Sequence, residues 1–179
     1  MTEQTDTGTR RGITPNGLVA LLACAGIVVA MTQTLVIPLI ASLPTIFNAP
    51  ASATSWPITV TLLVGAVVTP VAGRLADMFG KKRIMLLSLV PLVVGSVVCA
   101  LAMNVPVMII GRGLQGLATG FIPIGISLLH DLLPKERTAG AIALMSSSLG
   151  IGGALGLPFA AAVAQFGSWR ILFWVMAAG

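Results

Sequence analysis

The sequence is short of nearly everything a water-soluble catalyst is built from. Its 179 residues include no Tyr, one His, two Cys and five acidic residues, and only 8% are charged. A soluble domain carries about 25% charged residues, so the polar material here cannot cover a globular surface. One histidine and five carboxylates leave little for a solvated active site or a metal centre. The chain has no His-Glu-x-x-His, no phosphate loop and no paired carboxylates inside an apolar run, which sets aside an intramembrane enzyme. Cys24 and Cys99 both fall inside apolar runs and read as small buried hydrophobes, not as a disulfide or a metal pair.

What is present is apolar. Hydrophobic residues make up 56% of the chain, and the mean hydropathy is +1.03. That is the composition of an integral membrane protein. A bilayer core of about 30 Å takes roughly 20 apolar residues as helix, so a chain of this length holds about five or six spans. The net charge of +5 does not point to nucleic acid, because basic residues beside apolar spans are orientation signals.

The expected fold is all-α and transmembrane. Residues 1–16 are polar and read as a disordered cytoplasmic tail, and 17–179 as a helical bundle. Apolar runs at 17–42, 56–76, 84–103, 106–130 and 139–165 read as five complete spans, with Ser55 as N-cap of the second. Arg10 and Arg11 before the first run imitate a secretory signal, but the run is too long and more spans follow. A sixth apolar run starts at Ser168 or Trp169 and reaches Gly179. Its rise as helix is about 16 Å, so it is expected to be truncated and too short to cross.

Charge fixes the expected orientation. Arg10 and Arg11 lie in the tail, Arg74, Lys81, Lys82 and Arg83 between spans two and three, and Lys135 and Arg137 between spans four and five. Arg170 is the one cation at the other ends of the spans, and Arg112 lies inside span four. This asymmetry puts the N-terminus in the cytoplasm of a multi-pass protein in the plasma (inner) membrane. Trp56 and Trp169 fall at the opposite interface, where amphipathic rings belong. A faint repeat aligns residues 65–72 with 153–160, sharing Gly, Ala, Pro and Ala. Copies three spans apart run in opposite directions, as in the inverted three-plus-three repeats of transporters. Chance matching of small residues is the alternative.

Arg112 is the most informative residue. A charge at mid-membrane costs at least about 2.5–3.5 kcal/mol on the insertion scale. It must face a wet cavity or be tied to backbone carbonyls. Gln115 and Thr119 share its helical stripe at i+3 and i+7. Gly116 and Gly120 permit a close neighbouring helix. Gln33 in span one either lines a cavity or packs. Asp77 is the one acid amid four cations, placed to stabilise a helix end or to pair with the cluster; a solvated loop is the alternative. His130, beside Asp131, reads as an exposed helix-end residue. Ser146, Ser147 and Ser148 read as packing residues.

The stretch Gly73, Arg74, Leu75, Ala76, Asp77, Met78, Phe79, Gly80, Lys81, Lys82, Arg83 resembles the signature loop of the major facilitator superfamily, Gly-x-Leu-(Ala/Ser)-Asp-x-x-Gly-(Arg/Lys)-(Arg/Lys). Gly111, Arg112, Gly113, Leu114, Gln115 and Gly116 resemble its Arg-x-x-Gln-Gly motif. Pro134, Lys135, Glu136 and Arg137 resemble its loop between spans four and five, and the run 149–158 resembles the Gly-Pro motif of its antiporters. The likeness is nearest to the drug–proton antiporter branch of fourteen-span type.

The resemblance implies an N-terminal half of a secondary transporter working by alternating access, with a small amphipathic compound or drug as substrate and protons as driving ion. It implies no cofactor, and as partners the bilayer and a missing C-terminal half. Arg112 and Gln115 of its motif would line or tune the cavity, beside Gln33 and Thr119, which the residue pattern places with them in a cavity or coupling role. The resemblance makes Gly73, Asp77, Gly80, Lys81, Lys82 and Arg83 a cytoplasmic latch. It makes Gly152, Gly156 and Pro158 the antiporter-like glycine motif. Two departures stand out. Leu157 separates Gly156 from Pro158, and the span-one segment Met31, Thr32, Gln33, Thr34 holds no acid. The rival reading is a membrane assembly or scaffold protein that transports nothing. On either reading the chain alone is expected to be inactive.

Overall fold

The computed structural model describes residues 15–166 and 168–178. Most of the expected tail therefore lies outside the described residues, as do Gly167 and Gly179. The helices are α1 (Pro15–Thr34), α2 (Val36–Ile40), α3 (Leu43–Phe47), α4 (Ala51–Thr54), α5 (Trp56–Phe79) and α6 (Lys81–Ala100). They continue with α7 (Val105–Gly116), a 3-10 turn (Leu117–Gly120), α8 (Phe121–Leu132), α9 (Lys135–Phe166) and α10 (Arg170–Ala178). Five segments are long and apolar enough to cross a membrane: Val19–Leu39, Ala51–Phe79, Lys81–Ala100, Val105–Leu132 and Lys135–Val163. The sixth helix, α10, has only 9 residues.

The spans pack in a fixed pattern. α1 lies along α9, α5 and α6 both pack on α7, and α10 packs on α6. The outward surface is apolar, as helices in hydrocarbon require: Leu62, Leu63, Leu86, Leu87, Val90 and Ile110 are all exposed. Inside are two apolar cores. One gathers Leu22, Val29, Leu92, Ala118, Phe121, Leu129 and Met145. The other gathers Leu35, Leu39, Cys99, Met108, Leu172 and Phe173. Along the first, third and fourth spans, the residues between these two sets include Thr32, Ser96, Arg112 and Gln115. A polar layer therefore separates two apolar ones.

Several local expectations change. The joints are tighter than the charge pattern suggests. α5 runs through Arg74 and Asp77 to Phe79, and α6 starts at Lys81. Gly80 alone turns the chain, at φ 97°, a conformation that strongly favours glycine. Charged side chains thus sit on helix ends that extend past the apolar stretch, not in a flexible loop. Ser55 does hold the N-cap position of α5, but its side chain does not cap. It is helical, and its Oγ donates to the Ser52 carbonyl at 2.9 Å, because α4 runs almost unbroken into α5. A side-chain cap does form at Asn104, whose Oδ1 accepts from the Val107 amide at 3.0 Å at the start of α7. Cys99 is buried as expected, but Cys24 is exposed on the outer side of α1.

Candidate functional site

The polar layer centres on Arg112, which is 2% exposed. Its Nη1 donates to Gln115 Oε1 at 2.6 Å and to the Thr32 carbonyl of α1 at 3.1 Å. Its Nη2 donates to Gln33 Oε1 at 3.4 Å. Gln115 Nε2 donates onward to Ser96 Oγ in α6 at 2.8 Å, and Ser96 donates to its own helix at Leu92 O. From α5, Thr61 Oγ1 donates to the Arg112 carbonyl at 3.0 Å. The network joins spans one, two, three and four. Buried polar groups of this kind are kept only when bonded, and here one atom is not: Arg112 Nε is buried without a hydrogen-bond partner among the described residues.

Close approach makes the network reachable. A Cβ placed on Gly95 would lie 2.6 Å from the Gly111 carbonyl and 2.9 Å from Gln115 Cγ. Only glycine there lets α6 and α7 come near enough for Ser96 to meet Gln115.

The two candidates Gln33 and Gln115 join Arg112, but Thr119 does not. The 3-10 turn after Gly116 has about 3.0 residues per turn instead of 3.6, so the stripe expected at i+7 changes phase. Thr119 Oγ1 instead donates to the Gly116 carbonyl at 2.8 Å and lies 3.5 Å from Thr69 Oγ1 of α5. Thr32, Thr61 and Ser96 are members that sequence reasoning missed. For Thr61 and Ser96 the available signal was a hydroxyl inside an apolar span; Thr32 takes part through its backbone carbonyl, which no side-chain pattern marks.

At the end of the bundle bearing the basic cluster, Lys81 pairs with Asp131 of α8 at 2.5 Å and also donates to the Ser127 carbonyl at 3.5 Å. Asp77 is exposed and pairs with none of the cations among the described residues, which leaves the pairing reading unmet and agrees with the solvated alternative. With Lys82 and Arg83 it borders an open depression of about 670 Å³. Gly73 is partly buried and Gly80 exposed beside it. His130 is exposed and its Nδ1 is 4.0 Å from Asp131.

The glycine motif packs inside this bundle. A Cβ on Gly152 would lie 2.6 Å from Ala30 Cβ and 2.7 Å from the Ile27 carbonyl, and one on Gly156 would overlap the Thr34 side chain. The glycines of spans four and five thus meet α1, α5 and α6 within this bundle. Gly150 alone in this run is open, and Pro158 is exposed. Ser148 is buried and donates to the Met145 carbonyl at 2.6 Å, whereas Ser146 and Ser147 are exposed, so only one of the three serines packs.

Fold and site together define a polytopic α-helical membrane protein with a bonded arginine in its interior. The chain matches the Major Facilitator Superfamily over residues 22–179 and belongs to it. It is similar to an MFS-type transporter of Mycobacterium tuberculosis, at 35% identity over 84% of this chain and 22% of that protein. It is similar to an efflux pump of Dothistroma septosporum, at 31% identity over 90% of this chain and 28% of that protein. It also resembles multidrug resistance protein 3 of Bacillus subtilis, at 31% identity over 59% of this chain and 21% of that protein. The chain spans well under half the length of these relatives.

Proposed function

We propose that this chain is the N-terminal bundle of a secondary transporter that exports small amphipathic compounds by alternating access. The observation that carries the reading is the arginine layer between two apolar cores. A charge that costs this much to insert is retained where it serves a pathway, and this one is held by four spans. The efflux and multidrug relatives support the substrate class, and the span-five glycine motif supports the drug–proton antiporter branch of fourteen-span type. The substrate would bind near the midplane, between this bundle and a second one.

The packing supports an inverted three-plus-three repeat. Exchanging spans one, two and three for four, five and six turns the α1–α9 pair into the α7–α5 pair, and both pairs pack closely. Gly65 would place a Cβ 3.0 Å from Thr119 across one pair, and Gly153 would place one 3.8 Å from Thr34 across the other. These are the two glycines aligned by the sequence repeat. The eight-to-one asymmetry of cations outside the spans supports a cytoplasmic N-terminus in the plasma (inner) membrane. In this reading Asp77 is the free carboxylate of a cytoplasmic latch, available to a helix of the second bundle, while Lys81 is already engaged by Asp131. Protons as driving ion require a carrier elsewhere, since the acids among the described residues all sit at one end of the bundle. Efflux of fluorescent substrates from cells producing the full gene product tests the proposal. Energy-dependent efflux above that of empty-vector cells is expected, and none is expected of a scaffold protein.

A further inference from the structure

Arg112 is a buried cation without a counter-charge. No carboxylate lies within ion-pair distance of it among the described residues; the acid–base pairs found are Lys81 with Asp131 and His130 with Asp131, at the end of the bundle. Its bonded partners are neutral: one backbone carbonyl and two glutamine side chains. Its Nε has no hydrogen-bond partner among the described residues. A guanidinium that is always charged and is buried without an acid partner is left short of compensation.

Gln33 is the most exposed of the residues bonded to this group. Thr32 and Gln115 are buried, whereas Gln33 is half-buried, and its 3.4 Å contact is the longest of the three. With its Oε1 turned to Arg112, its Nε2 donors have no partner among the described residues. A species approaching past Gln33 meets amide donors first and a guanidinium behind them. Among the described residues no carboxylate stands there. That donor set matches a carboxylate or a similar oxyanion, and it repels an organic cation.

We propose that Arg112 and Gln33 form a charge-selecting element and that the exported amphiphile is bound there as a monoanion, its acidic group displacing the weak Gln33 contact. The inference rests on the transporter reading and narrows its substrate class.

The test is binding to the purified full gene product in nonionic detergent, followed by the emission of a dansyl-labelled fatty acid and, separately, of its methyl ester. The acid is expected to bind at least about tenfold more tightly than the ester, as one charge-assisted contact implies. Gln33→Glu places a fixed carboxylate beside Arg112 and is expected to bring the two affinities together without harming the fold. Arg112→Lys is expected to keep the preference for the acid. Equal binding of acid and ester by the native protein would overturn the proposal, as would an unchanged preference in Gln33→Glu. Flux of the same acid across proteoliposomes is read separately. Acid-selective binding without flux would remove the transporter reading and leave the charge preference; flux without selectivity would do the reverse.

Discussion

At the residue scale, Arg112 dominates because the energetics of a buried charge are large against those of its neighbours. Arg112→Ala removes an insertion cost of about 2.5–3.5 kcal/mol and leaves Gln33 and Gln115 without their shared donor. The variant is expected to insert and accumulate at near-native levels while efflux by the full gene product falls to background. Western quantification beside an efflux assay checks both halves. Asp77 makes a second residue-scale case. Its carboxylate is exposed and has no partner among the described residues, so Asp77→Asn should leave thermal stability within about 0.5 kcal/mol of native. If Asp77 engages a second bundle in one state only, the substitution shifts the balance between inward-open and outward-open forms. Cysteine accessibility at each end of the protein reads that ratio, and an unchanged ratio would leave Asp77 as a solvated residue.

At the element scale, glycine contacts set how closely spans approach. Gly156→Leu would drive a side chain into Thr34 of α1, and overpacking of this kind costs about 1–3 kcal/mol. Its unfolding temperature in detergent should fall clearly, while Gly150→Ala, at an open position, should leave it unchanged. Equal behaviour of the two would mean that α1 and α9 are not seated as described. This scale also marks what the sequence made legible. The five spans were readable because apolar length is set by bilayer thickness, and Arg112, Gln115 and Gln33 were readable because polar groups are scarce in such runs. The joints were not. A basic cluster reads as a loop by charge alone, yet helices continue through it and turn at Gly80. Thr119 was misplaced because a 3-10 turn leaves no mark in the hydropathy pattern. The engagement of Lys81 by Asp131 rather than Asp77 depends on how α8 sits against α6, a tertiary fact that adjacency in sequence conceals.

At the scale of the whole molecule, one end of the bundle gathers Lys81, Lys82, Arg83, Asp131 and Lys135, and the other has Arg170, which donates to the Ala102 carbonyl at 3.2 Å and stacks near Trp169. The positive end is expected in the cytoplasm. A cysteine introduced at position 82, an exposed site, should resist impermeant thiol reagents in intact cells and react once the membrane is opened. The proposed substrate path needs a second bundle, so the 179-residue chain reconstituted alone should give no flux above empty vesicles. The central claim, that a buried arginine layer serves a transport path, is tested most directly by reconstituting the full gene product in proteoliposomes and measuring substrate flux under an imposed proton gradient, native beside Arg112→Ala at equal incorporation. Saturable flux in the native protein that is lost in the variant is the expected result. Native flux no greater than that of empty vesicles, or equal flux in the two proteins, would contradict it.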